Sequence, residues 1–169
     1  MLSSAAPLRA QVVYADGVND ATPRVLTAIT EFLVATGSAT QSGVISDGGN
    51  IFGITKTGAG ALTLSGVNTY GGDSSITAGL LIASRLSGGN ISALGSGTLR
   101  LSGGALRTDV TGTYAQDVVF TAGTSSVRRK AATFVTTRAL IAGVRGPGPK
   151  ECAKFEADGY RDRIRRPSS

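Results

Sequence analysis

The sequence predicts an all-β protein built as a parallel β-helix, a solenoid of about four or five short coils with irregular terminal segments. Three observations carry that prediction. The stretch Gly58-Ala59-Gly60-Ala61-Leu62-Thr63-Leu64-Ser65-Gly66 returns as Gly95-Ser96-Gly97-Thr98-Leu99-Arg100-Leu101-Ser102-Gly103, identical at six of nine positions and 37 residues later. A looser copy, Gly79-Leu80-Leu81-Ile82-Ala83, lies between them. Residues 37–123 contain 19 glycines and no proline. Such a run disfavours helices, where an interior Gly costs about 1 kcal/mol against Ala, and favours short strands joined by tight turns. Third, Leu62, Leu81, Leu99 and Val118 recur at a near-constant spacing, and Leu64, Ala83, Leu101 and Phe120 each follow two positions behind. Residues i and i+2 share one face of a strand. The eight side chains are therefore expected to form two adjacent interior columns, with Gly60, Gly79 and Gly97 at the corners and Thr63, Ile82, Arg100 and Val119 facing outward.

Taken in order, residues 1–22 read as an irregular N-terminal segment, because Pro7, Gly17, Asn19 and Asp20 punctuate them. Residues 23–127 read as the solenoid. At its start, Val25, Leu26, Ile29, Phe32 and Leu33 fit one helix face, and Pro23 suits a first helical position. The same run is rich in Val, Ile, Thr and Phe, which suits strands. Strand is taken ahead of helix because everything downstream is strand-like; a helix here would cap the open end of the stack. Between the beats, Asn68-Thr69-Tyr70-Gly71-Gly72-Asp73 and Ser87-Gly88-Gly89-Asn90 read as turns, since Asn, Asp and Gly tolerate left-handed backbone. Residues 128–169 lose the rhythm and read as a basic, poorly ordered tail.

Charge divides the chain at the same point. Residues 1–127 carry six basic and seven acidic side chains, whereas 128–169 carry eleven basic and four acidic. A nucleic-acid or anionic-lipid reading would rest on the tail alone, through charge and without regular interleaving of aromatics, so no specific nucleic-acid partner is expected. The abrupt change of composition raises a second hypothesis, that the tail stems from a frame change or a truncated gene. Cys152 is the one cysteine, so no disulfide forms within a single chain. Residues 1–16 contain no apolar run of signal-peptide length.

The chemistry is bounded by what is missing. With no histidine, Ser-His-Asp and Cys-His catalysis and His/Cys zinc sites are excluded within one chain. Thr57-Gly58-Ala59-Gly60 lacks the Gly-Lys-Ser/Thr of a phosphate loop, and the Gly-Gly-Asn and Gly-Gly-Asp pieces do not repeat with the nonapeptide period of calcium-binding coils. Glycan-cleaving β-helices need clustered carboxylates. Asp47, Asp73, Asp109 and Asp117 are the candidates in the repeat region, and they fall on no shared beat. Neither a cofactor nor a metal is expected, and the turn carboxylates read as solvated. A carbohydrate-binding or carbohydrate-cleaving β-helix is the alternative.

The stretch from Ile54 to Gly72, flanked by Val44-Ile45-Ser46 and by Ile76-Thr77-Ala78-Gly79-Leu80-Leu81, closely resembles the passenger-associated transport repeat of bacterial autotransporters. Ile54-Thr55-Lys56-Thr57-Gly58-Ala59-Gly60, then Leu62-Thr63-Leu64-Ser65-Gly66, then Asn68-Thr69-Tyr70 and Gly71-Gly72 follow the family string. Ala61 stands where Thr is usual, and one residue is missing between Tyr70 and Gly71. The motif core covers residues 40–122. The resemblance implies a right-handed β-helical passenger stalk, displayed on the bacterial surface or secreted, which supports passenger folding and translocation and in some members adhesion. It also implies a translocator barrel as partner, a segment not found within these 169 residues. The host or surface ligand is unknown. Self-association end to end is a further expected contact, because solenoid ends expose strand edges.

Overall fold

Runs of alternating inward and outward side chains form short strands, and each strand lies parallel on its counterpart one coil earlier. The computed structural model describes residues 9–114 and 116–121, with the strand segments 126–129, 133–134, 139–142 and 155–157. The first coil comprises β1 (Ala10–Tyr14), β2 (Asn19–Asp20) and β3 (Arg24–Val25). The second comprises β4 (Thr30–Val34), β5 (Ser38–Gln41) and β6 (Ile45–Ser46). β7 (Ile54–Thr57) and β8 (Ala61–Leu64) begin the third, β9 (Ser74–Ile76) and β10 (Leu80–Ala83) the fourth. The fourth also carries β11 (Leu86–Ser87) and β12 (Asn90–Ile91). β13 (Leu99–Leu101), β14 (Ala105–Thr108) and β15 (Thr113–Tyr114) make the fifth, and β16 (Val118–Thr121) opens the next. Beyond it follow β17 (Ser126–Arg129), β18 (Thr133–Phe134), β19 (Ala139–Ala142) and β20 (Phe155–Ala157).

Two long walls result. One is the seven-stranded parallel sheet β1-β4-β7-β9-β13-β16-β19, the other β2-β5-β8-β10-β14-β17-β20. The third side is broken into the β3–β6 pair and the sheet β11-β12-β15-β18. Among the described residues all strand pairs are parallel except the hairpin β11–β12, whose Gly88 and Gly89 take the positive φ angles (58° and 83°) of a tight two-residue turn. The architecture is thus a β-solenoid whose core is the stack of inward side chains from all three sides.

The strand alternative at 23–36 is the one adopted, as β3 and β4. Phe32 and Val34 are fully buried, while Val25 and Ile29 are exposed, so the apolar residues split by strand parity and not by helix face. Two boundaries differ from the sequence reading. The solenoid starts at Ala10, within the segment expected to be irregular, because Gly17, Asn19 and Asp20 form a coil corner and its next strand. Backbone pairing also continues past 127 through β17, β18, β19 and β20. An exposed ladder edge offers its N–H and C=O groups to whatever strand follows, whatever its side-chain charge. The rest of the expected tail, with Cys152, lies outside the described residues.

The interior columns also differ. Leu62 and Leu81 are register partners on the second wall, where Ala39 precedes and Leu106 follows them. Leu64 and Ala83 lie beside them, between Gln41 and Thr108. Leu99 and Val118 belong to the first wall, preceded by Ser74, and Leu101 lies between Ile76 and Phe120. The expected pair of continuous columns is therefore four half-columns on two walls. Coil length explains it. Along the first wall Ala10 pairs with Thr30, Thr30 with Ile54, Ile54 with Ser74, Ser74 with Leu99 and Leu99 with Val118. These steps are unequal, so no fixed beat maps one coil onto the next. The inserted hairpin makes the fourth coil longer than the third.

Candidate functional site: the polar ties of the 54–83 repeat

The most distinctive chemistry lies inside the rod, where polar side chains occupy core positions. Strand parity places Lys56 inward, between Phe32 and Ile76 on the neighbouring strands, and it is fully buried. Its Nζ donates to the carbonyls of Thr57 (2.7 Å) and Gly58 (2.9 Å) and approaches that of Ala78 on the next coil (3.4 Å). The ammonium's three donors thus meet three carbonyls around the sharp corner. Burial pulls its pKa down to about 8.

Asn68 ties three coils together. Its Oδ1 accepts from the Ile45 N–H (2.8 Å), and its Nδ2 donates to the Ala93 carbonyl (2.6 Å). Tyr70 is fully buried beside it, and its hydroxyl shares a 2.6 Å hydrogen bond with Ser74 Oγ, which donates to Leu94 O (3.0 Å). Burial raises the Tyr70 pKa well above that of an ordinary phenol. Asn68 and Tyr70, expected as turn residues, are core residues. A buried amide that reaches one coil back and one coil forward satisfies backbone groups where the third side has no strand.

Gln41 does similar work at the N-terminal end. Fully buried, it accepts from the Tyr14 hydroxyl and from Arg24 Nε (3.1 Å), and it donates to Thr22 O (2.9 Å). Arg24 also pairs with Asp20 and lies over the Tyr14 ring. The Thr22 N–H, then the Arg24 guanidinium, hold the Asp20 carboxyl down to about 2.

The carboxylates singled out from the sequence are spread along the rod. Asp47 is buried, and it accepts from Gly71 N (2.8 Å) one coil on and from Gly49 N (3.2 Å). The Gly71 bond, the larger influence, lowers its pKa. Asp73 accepts from Thr98 N (3.1 Å) and pairs with Arg100 (2.6 Å). Asp16 makes the same kind of forward bond to Ser38 N (2.7 Å). Asp47 and Asp73 therefore each fasten one coil to the next; Asp47 is buried and not a solvated turn group, whereas Asp73 keeps an exposed side chain as expected. Asp109 pairs with its strand neighbour Arg107. Asp73 and Asp117 do occupy one row, each just before a first-wall strand with Thr98 between them; unequal coil lengths hid this. Among the described residues no three His, Cys, Asp or Glu side chains gather as a metal site would require.

The predicted corner glycines divide in the same way as the columns. Gly60 and Gly79 stack at the corner between the two walls, where a Cβ on Gly79 would strike Gly58 O and Gly60 O. Gly97 lies at the corner leading into the first wall, directly on the Gly72 carbonyl.

Comparison with known proteins falls on this same region. Residues 54–83 match the passenger-associated-transport-repeat family. The chain carries an autotransporter passenger repeat. Lys56, Asn68 and Tyr70, the ties between coils, all lie within it. The chain is also 34% identical, over an alignment of 87 residues, to the adhesin BmaC autotransporter of Brucella suis biovar 1 (strain 1330). That alignment covers 44% of this chain and 2% of the relative, so the chain spans a very small part of the adhesin's length. No solved structure matches the chain.

Proposed function

We propose that the passenger repeat serves as a non-catalytic structural module: a short rod that spaces and supports a surface-exposed or secreted autotransporter passenger and helps it fold as it emerges. One observation carries this reading. The polar side chains of the 54–83 repeat are spent on joining one coil to the next, and Asn68 alone connects three. Each added coil finds preformed acceptors and donors on the coil before it, which favours stepwise folding along one axis. The adhesin relative supports a place in a surface passenger.

The test is display. The chain is placed between a signal sequence and an autotransporter barrel, with an epitope at its outer end. Wild type is expected to bring the epitope to the cell surface in a protease-resistant form, whereas Asn68→Ala lowers that resistance. Equal display and equal resistance for both, or glycan cleavage lost on Asp73→Asn, would overturn the reading.

A further inference from the structure

The third side of the rod opens into a pocket where the third coil contributes no strand. Residues 65–73 cross that side as irregular chain. They are fixed to the next coil by the Asn68 N–H, which donates to Ser92 O (3.0 Å), and by the Ser96 N–H, which donates to Tyr70 O (3.1 Å). Gln116, one coil further on, donates from Nε2 to Gly95 O (2.7 Å). Between these ties lies a cavity of about 230 Å³. Thr69 and Ser96, both exposed, form its rim, and the buried Asn68, Ile91 and Gln116 its floor.

Two of the lining side chains hold a polar atom that is buried and has no partner among the described residues, Ser92 Oγ and Gln116 Oε1. Gln116 as a whole is 7% exposed. Folded proteins seldom leave such atoms unpaired. An amide oxygen only accepts, and a serine hydroxyl both donates and accepts, so the complementary ligand carries hydroxyl groups. None of the lining side chains is charged, so an anion or a metal ion would lose its hydration without gaining a counter-charge. Size narrows the choice further. The cavity falls below the roughly 300 Å³ at which pockets for drug-sized ligands begin. It has room for about seven waters at about 30 Å³ each, the scale of one sugar ring. Ile91 offers an aliphatic surface to the C–H face of such a ring. We infer that this pocket binds one neutral sugar residue of a glycan, its hydroxyls paired with Ser92 Oγ and Gln116 Oε1, and the rest of the glycan leaving past Thr69 and Ser96.

The inference goes beyond the structural role and does not rest on it. A chain that fails in display can still bind sugar, and a chain that binds none can still be displayed. The test is NMR titration of the whole chain with glucose, galactose, mannose and N-acetylglucosamine, beside an array of neutral glycans. At least one is expected to bind, with saturable shifts confined to the Thr69, Ser92 and Ser96 amides and the Gln116 side chain. Ser92→Ala removes a hydroxyl that has no partner in the protein. Its melting temperature should therefore hold or rise while affinity falls about tenfold, a result that a merely structural Ser92 would not give. Ser96→Trp, at the exposed rim, should block binding altogether. The inference is overturned if no neutral sugar or glycan binds, which leaves water as the occupant. It is equally overturned if inorganic phosphate or calcium shifts these residues in place of sugar, or if binding is indifferent to Ser92→Ala.

Discussion

The two nine-residue copies, Gly58–Gly66 and Gly95–Gly103, share six residues and yet build different parts of the rod. The first turns the corner between the walls and enters the second wall as β8. The second turns off the third side and enters the first wall as β13. What they share is local. Each opens on a glycine with positive φ (75° at Gly58, 64° at Gly95), packs its third residue, a glycine, against the coil before it, and points two leucines inward. The motif therefore encodes a turn followed by an inward-facing strand. The spacers between motifs decide which wall that strand joins. At the position matching Lys56 in the second copy stands Ala93, also fully buried, so only the first copy has an ammonium at its corner.

The comparison can be broken most severely at the leucines. Leu62→Asp and Leu99→Asp each bury a carboxylate in the apolar core and should each remove more than about 4 kcal/mol, unfolding the rod by circular dichroism. Equal damage on different walls is what a shared inward strand requires. Asn68→Ala comes next. It strands the Ile45 N–H and the Ala93 carbonyl, and a loss of about 2–4 kcal/mol in urea denaturation is expected. Gly58→Ala and Gly95→Ala then compare the two turns directly. A Cβ at either meets backbone of the preceding coil, at Val34 O or Tyr70 O, in a conformation that L residues avoid. Each should cost about 1–3 kcal/mol, read by thermal melts.

Lys56 distinguishes the copies by pH. Its folded pKa, near 8, lies below the ordinary 10.5, so the unfolded chain binds more protons between those values. Stability should therefore rise with pH through that window, and Lys56→Met should flatten the rise. Above about pH 10 the raised Tyr70 pKa acts in the opposite sense, since the unfolded phenol ionises first. The smallest effect is expected at Arg100→Asp. Arg100 sits on the outer face in an exposed pair with Asp73, and the change should stay within about 1 kcal/mol by chemical denaturation.

Sequence patterning made the fold class legible because glycine corners and alternating aliphatics leave few other solutions. Row assignment was not legible, because coils of unequal length destroy any single period. The near-constant spacing of Leu62, Leu81, Leu99 and Val118 came from steps of different kinds, one coil from Leu62 to Leu81 and a change of wall from Leu81 to Leu99. The first coil was hidden for a related reason: the residues that break helices and strands are those a solenoid corner uses. Gln41, Asn68 and Tyr70 were missed as core because their polar atoms suggest solvent, and only neighbouring coils supply their partners. Lys56 did carry a signal. It shares strand parity with the inward Ile54.

The central claim is that spacers, not a constant beat, set which strands touch. Disulfide formation between positions of outward strand parity, of which Ile82 is itself buried, tests it in a Cys152→Ser background. Adjacent strands lie about 4.8 Å apart, within disulfide reach. Ser75→Cys with Arg100→Cys should cross-link readily, because those residues are register partners. Ile82→Cys with Arg100→Cys, which a constant beat would place side by side, should remain reduced. The reverse pattern would contradict the account.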